Sequence, residues 1–153
     1  MRSFLKENID RILLLLLLGL LFVLWARIIG CNIRMNDKTK DLSTVWARIA
    51  CAESFGWEVD PGSEIKEKIH IPSEFDEVYT QYNCLQKMCG FDLFAYRGKT
   101  AMKYTYMITN YPYELSEPVY INLYIYEEKL IAGDVMTRSF GGFMLPLDRR
   151  LAS

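Results

Sequence analysis

The sequence predicts an α+β protein: an N-terminal transmembrane helix, then a small domain of two helices packed on an antiparallel sheet of about four strands. Three observations predict it. A nearly uninterrupted apolar run occupies residues 12–31. Two stretches of helical spacing follow, each closing on a glycine, and the rest of the chain alternates polar and apolar residues. The 153 residues divide into a tail (1–11), a transmembrane or signal-anchor segment (12–31), a linker (32–41), a soluble domain (42–147) and a C-terminal tail (148–153).

Ile12 to Ala26 carries no charge, with Arg11 before it and Arg27 after it. Such a run makes a helix of roughly 22 Å, against a hydrocarbon core of roughly 30 Å. Continuing through Ile28, Ile29 and Gly30 to Cys31 completes the span. Arg27 lies near its end, where the long stem carries the guanidinium to the interface, and Trp25 stands beside it. No Ala-x-Ala cleavage site ends the run, which favours an uncleaved anchor. Ile28-Ile29-Gly30-Cys31 also resembles a bacterial lipobox, in which Cys31 would be lipidated; Arg27 counts against that reading. Arg and Lys number three before the span (Arg2, Lys6, Arg11) and four from Arg27 onward (Arg27, Arg34, Lys38, Lys40), so charge does not set the orientation. A short N-terminal tail ahead of a long domain places the domain outside the cytoplasm, in a single-pass cell-membrane protein.

The polar stretch Asn32 to Lys40 reads as the linker. A helix is predicted over Leu42–Phe55, with Val45, Ile49, Ala52 and Phe55 on one stripe. Gly56 takes the left-handed position after it, and Trp57 folds back in a Schellman arrangement. Val59 to Ser63 reads as a loop around Pro61-Gly62. A strand follows over Ile65–Ile71 and stops at Pro72. In the second helix Ser73 is the N-cap and Asp76 the capping-box residue. Its stripe is Phe75, Val78, Tyr79, Tyr82, Leu85 and Met88 or Cys89, and Gly90 ends it. Three strands remain: Met102 to Thr109, Val119 to Tyr126, and Leu130 to Thr137 across a hairpin at Glu127-Glu128. Val119, Ile121, Leu123 and Ile125 are expected to face the second helix, leaving Tyr120, Tyr124 and Tyr126 on the opposite face of the sheet.

Composition excludes several classes. A net charge of −1 without a basic stripe gives no footprint for nucleic acid. Beyond Cys31 the cysteines are Cys51, Cys84 and Cys89, an odd number, with the last two about 140° apart on a helix; packed thiols are the simpler reading. The lone His70 lies on the polar side of its strand and has no second histidine to share a metal. No Gly-x-Ser-x-Gly elbow occurs, and Gly141-Gly142 lacks the Lys-Ser/Thr of a phosphate loop. No catalytic, cofactor-binding or metal-ligating set is therefore assigned, and no cofactor is expected. Asp60, Asp76, Asp92 and Asp134 could pair as catalytic carboxylates, although Asp also serves ordinary caps and turns.

Tyrosine is the unusual residue. All ten lie between Tyr79 and Tyr126. Tyr120, Tyr124 and Tyr126 project from one face of one strand, and a rigid ring with a hydrogen-bonding tip suits a peptide, a glycan or an envelope protein. High strand propensity explains the same tyrosines without any ligand.

A series of short motifs carries a resemblance. It comprises Phe55-Gly56-Trp57-Glu58-Val59, Ile71-Pro72, Phe75-Asp76, Val78-Tyr79, Tyr82-Asn83, Leu85-Gln86-Lys87 and Gly90-Phe91-Asp92-Leu93. It continues with Tyr96-Arg97-Gly98-Lys99, Asn110-Tyr111-Pro112, Gly133-Asp134-Val135 and Gly142-Phe143-Met144. Over about residues 45–145 this resembles domain of unknown function 4830, a family of clostridial and bacillar Gram-positive bacteria. The resemblance implies a small extracytoplasmic domain behind a membrane segment, and it brings no activity and no catalytic residue. One departure is visible: the family tends to Asp-Gly at the last hairpin, where this chain has Glu127-Glu128.

The resulting expectation is a membrane-anchored, non-enzymatic binding or regulatory module of the cell envelope, held in the membrane by residues 12–31. The competing class is a cell-envelope hydrolase using paired carboxylates among Asp60, Asp92 and Asp134.

Overall fold

The computed structural model describes residues 17, 19–21 and 41–152. The chain separates into two compact units, Met1–Asp37 and Lys38–Ser153. Of the first, the described positions Leu17, Gly19, Leu20 and Leu21 are helical. The rest of the expected membrane segment 12–31, Cys31 included, lies outside the described residues, as do the tail and the linker up to residue 40. Among the described residues no helix is long and apolar enough to cross a membrane.

The second unit is α+β. Its elements run α1 (Val45–Ser54), β1 (Val59–His70), α2 (Glu77–Met88), a 3-10 turn (Leu93–Tyr96), β2 (Thr100–Ile108), β3 (Val119–Tyr126), β4 (Lys129–Thr137), β5 (Met144–Pro146) and a final 3-10 turn (Arg149–Leu151). The five strands form one antiparallel sheet in the order β1-β2-β3-β4-β5, a meander with no crossover.

Both helices end as their glycines require. In α1 the Gly56 N–H bonds Glu53 O at 2.9 Å and the Trp57 N–H bonds Ala52 O at 3.1 Å, with Gly56 at φ +94. In α2 the Gly90 and Phe91 N–H groups bond Lys87 O and Gln86 O, each at 3.1 Å. Each pair of bonds satisfies carbonyls that the last helical turn leaves open.

The helix starts differ from expectation. Thr44 caps α1, its Oγ1 accepting from Ala47 N at 3.1 Å, so the helix begins at Val45 rather than Leu42. Asp76, not Ser73, caps α2: its Oδ1 accepts from Tyr79 N at 2.8 Å. Both residues are good caps three positions apart, and the one whose side chain reaches an orphan N–H wins.

The sheet departs in three places. β1 reaches back to Val59, and Asp60-Pro61-Gly62-Ser63 forms a register irregularity inside it rather than a loop before it. A fifth strand, β5, pairs Met144, Leu145 and Pro146 with Met136, Val135 and Asp134. Three residues are too few for alternation to reveal. The β3–β4 hairpin is a two-residue turn with Glu127 at φ 47 and Glu128 at φ 64. Both positive values are those of a type I′ turn, which glutamate adopts here in place of the usual glycine.

The alternation along β3 is as expected, but the faces take the opposite helices. Ile121 and Leu123 are fully buried and share their face with Tyr104 and Tyr106, their partners on β2. Arg48 of α1 lies on that face, 3.9 Å from the Tyr104 ring centre, with its Nε donating to the Tyr106 hydroxyl at 2.9 Å. Tyr124 and Tyr126 occupy the other face. There Tyr82 of α2 meets Tyr124 at 6.2 Å and Tyr96 of the 3-10 turn meets Tyr126 at 5.7 Å. The expected packing of Val119, Ile121, Leu123 and Ile125 against the helix of Val78 and Tyr82 is thus corrected. Helices cover both faces, so the tyrosine side of β3 is half-buried.

The expected stripe of α2 is also rotated. Val78 and Met88 are exposed, while Asn83 and Gln86 are buried. The amides face inward because they satisfy backbone: Asn83 Oδ1 accepts from Leu93 N at 2.8 Å and Gln86 Oε1 from Gly133 N at 2.9 Å. Below them Ile71, Leu93, Ala101, Ile131 and Ala132 form the apolar cluster, flanked by Phe75, Tyr82 and Tyr124. Ile131 is the extra residue at the β3–β4 register shift, which turns it into that cluster.

Candidate functional site

The half-buried face carries a chain of hydrogen bonds through the sheet. Thr105, Asn122 and Asp134 stand opposite one another on β2, β3 and β4. Thr105 Oγ1 donates to Asn122 Oδ1 at 2.6 Å, and Asn122 Nδ2 donates to Asp134 Oδ1 at 2.7 Å. Tyr82 reaches down from α2 and donates its hydroxyl to Asp134 Oδ2 at 2.6 Å. All three sheet residues are buried, and Asp134 is 0% exposed.

Burial pushes the Asp134 carboxyl above the usual carboxylate range; donation from Tyr82, Asn122 and Tyr124 and the charge of Lys103 oppose the rise. The Tyr82 and Tyr124 hydroxyls are driven up, by burial first and by the Asp134 charge second. Both therefore stay protonated at physiological pH. The cluster is a set of fixed donors around one acceptor, an arrangement that positions groups and supplies no activated nucleophile.

Above it opens a cleft of about 490 Å³. Val78, Tyr79, Tyr82 and Leu85 line it from α2, with Gln81 at the rim, Tyr124 on the floor and Met144 of β5 on the far wall. Phe75, Tyr79 and Tyr82 continue one another as an aromatic series, at 5.2 Å and then 6.4 Å between ring centres. The lining is mostly apolar with a few hydroxyl tips, the composition of surfaces that take a side chain and orient it.

The three candidate tyrosines are dispersed along β3. Tyr124 enters the cleft. Tyr126 packs on Tyr96, and Tyr120 lies under Arg138, whose guanidinium is 4.1 Å from its ring centre. The strand pattern alone did not point to Tyr79, Tyr82 and Met144 as their companions. Tyr79 and Tyr82 carried a signal in their i, i+3 spacing on a helix, which stacks two rings on one side.

The carboxylates weighed for catalysis have separate partners. Asp60 Oδ1 accepts from Gly62 N at 2.9 Å within the irregular part of β1. Asp76 caps α2. Asp92 caps the 3-10 turn through Phe94 N and takes Asn83 Nδ2 at 2.9 Å. Cys89 is buried, with its thiol pushed up by burial, and Cys84 and His70 are exposed. Among the described residues no three His, Cys, Asp or Glu side chains gather as a metal site.

A second polar cluster occupies the opposite face. Arg48, 3% exposed, donates to the Leu42 and Ser43 carbonyls and to Glu64 Oε2, each at 2.9 Å. Glu64 also accepts the Tyr106 hydroxyl. Hydrogen bonds from Tyr106 and Arg48 hold the Glu64 carboxyl below its usual range against the effect of burial. Every partner is internal, and the cluster ties the start of α1 to β1 and β2.

Comparison with known protein families gives a match. The family described as a domain of unknown function (DUF4830) matches residues 52–135, a span that runs from α1 into β4 and includes Tyr82, Tyr124 and Asp134. No curated protein and no solved structure matches the chain.

Proposed function

The chain belongs to the DUF4830 family, and from that premise we propose that it is a membrane-anchored binding module of the cell envelope. Its folded domain stands outside the cytoplasm and takes an apolar or aromatic side chain of a partner's extended peptide segment into the cleft between α2 and β5. The observation that carries this reading is the cleft itself. Its volume falls in the range of small-ligand sites, and its walls are Tyr79, Tyr82, Tyr124, Leu85 and Met144. Tyrosine supplies rigid contact area with a hydrogen-bonding tip, and Met144 supplies a side chain that adapts to its guest. The apolar run 12–31 supports the anchor.

The hydrolase alternative needs two carboxylates facing one substrate. Asp60, Asp92 and Asp134 each hold their own partners, and Asp134 is closed off from solvent, so binding is favoured over catalysis.

An immobilised peptide array and an array of peptidoglycan fragments, both probed with the full chain in detergent, test the reading. Peptides bearing an apolar or aromatic residue should retain the protein. Val78→Asp and Met144→Asp, at exposed cleft positions, should lose that retention without loss of folding. Retention on glycan alone, or retention unchanged in both variants, would overturn it.

A further inference from the structure

Trp46 projects from the first turn of α1 with 74% of its surface exposed, and Val45 beside it is 37% exposed. The helix turns Arg48, Ile49, Cys51 and Ala52 inward, so the Trp46 side is its outer face. Trp57, by contrast, is 1% exposed and donates its indole N–H to Leu147 O at 2.6 Å. No ring contact holds Trp46 among the described residues. An indole carries an apolar body and a polar N–H, and an exposed one on an outer helix face suits a boundary between water and an apolar phase.

Position in the chain names that partner. Asp41, where the described domain begins, lies ten residues after Cys31 and so within about 35 Å of the end of the apolar run at full extension. The linker between them carries Arg34, Lys38 and Lys40 against Asp37, cations suited to lipid phosphate. Leu42 N–H bonds Glu128 O at 2.7 Å, which sets the acidic hairpin tip beside the entry to α1. Glu127 and Glu128 stay in water or at the headgroups, so any surface that α1 meets is met shallowly. An indole at headgroup depth, cations a few positions ahead of it in the sequence and carboxylates kept out of the hydrocarbon are the chemistry of a membrane interface.

We propose that the outer face of α1, through Trp46, rests on the headgroup layer of the bilayer that anchors the chain. The proposal rests on the membrane anchoring inferred from residues 12–31. Tethering makes the contact intramolecular in effect, at local concentrations in the millimolar range for a short linker, so a weak interfacial contact suffices.

The test uses the full chain reconstituted in phosphatidylcholine vesicles, with lipid brominated either near the headgroup or deep in the acyl chain as the quencher of tryptophan emission. The chain has three tryptophans, so substitutions isolate each. Trp25→Phe/Trp46→Phe leaves only the enclosed Trp57 and sets the unquenched baseline. Trp46→Phe adds Trp25 to that baseline, and Trp25→Phe adds Trp46. The expected result is a loss of emission in Trp25→Phe beyond the baseline, larger with the shallow quencher than with the deep one. Quenching of Trp46→Phe while Trp25→Phe stays at the baseline would overturn the proposal and leave the anchor standing. No quenching in Trp46→Phe would remove the anchor and the proposal together.

Discussion

Tyr82 and Asp134 are 52 positions apart in the chain, yet the tyrosine hydroxyl meets the carboxylate at 2.6 Å between a helix and the middle of a sheet. The bond fixes the height of α2 above β4 and so the depth of the cleft. Tyr82→Phe removes a donor from a carboxylate that is 0% exposed. The expected loss is about 1–3 kcal/mol, read as a lower midpoint in urea unfolding.

Asp134 also predicts how stability changes with pH. Its folded value is raised, so between the ordinary carboxylate range and that raised value the native state binds more protons than the unfolded chain. Stability from this group is present at low pH and is lost as pH rises through that window. The difference in unfolding free energy between Asp134→Asn and the parent protein should therefore move in favour of the variant as pH rises from about 4. Denaturant titrations at several pH values read this difference, and the other carboxylates cancel in the subtraction.

Arg48 is buried with Glu64, Tyr106 and two carbonyls as its partners. Arg48→Ala leaves those acceptors without their donor and should cost about 3–5 kcal/mol. Arg48→Lys should recover little of it, because one ammonium cannot reproduce a planar fork that bonds four oxygens. Thermal unfolding of the two variants side by side decides the point.

Gly133 stands where β4 has no room for a side chain. A Cβ there would come within 2.7 Å of Leu147 Cδ2 and 3.0 Å of Asn122 O. Gly133→Ala should lower stability by about 1–3 kcal/mol, as overpacked cores do. Because Leu147 Cδ2 is the nearer atom, Gly133→Ala/Leu147→Ala tests the cause: part of the alanine penalty should disappear relative to Leu147→Ala alone.

The hairpin tip offers the reverse experiment. Glu128 holds φ 64, a left-handed conformation that disfavours a side chain by roughly 1–2 kcal/mol. Glu128→Gly keeps the carbonyl that accepts from Leu42 N and should raise stability by about 1 kcal/mol in thermal unfolding.

Particular elements show what was legible in the sequence. Gly56-Trp57 and Gly90-Phe91 announced their helix ends, because a left-handed residue followed by an apolar one is written locally. The side-to-side order of β3 was legible in the same way. Which helix lies on which side was not, since alternation groups residues by face without naming what covers the face. Asn122 and Asp134 illustrate the consequence. A polar residue in an alternating strand reads as solvent-facing, whereas here Asn122 finds its partners on β2 and β4, and Asp134 finds its own on β3 and α2. The cleft was partly legible through Tyr124, but its far wall stands on β5, a strand of three residues with no periodicity to detect.

The hydrogen bond from Leu42 N to Glu128 O has a mechanical meaning. Leu42 is 2% exposed and is the first buried side chain on the described path into the domain. A pull applied from the N-terminal side reaches that plug and its bond to the β3–β4 tip before it reaches the first turn of α1. Tension must extract Leu42 before it can unwind the helix, so the cleft on the opposite face of the sheet is sheltered from the opening step of forced unfolding.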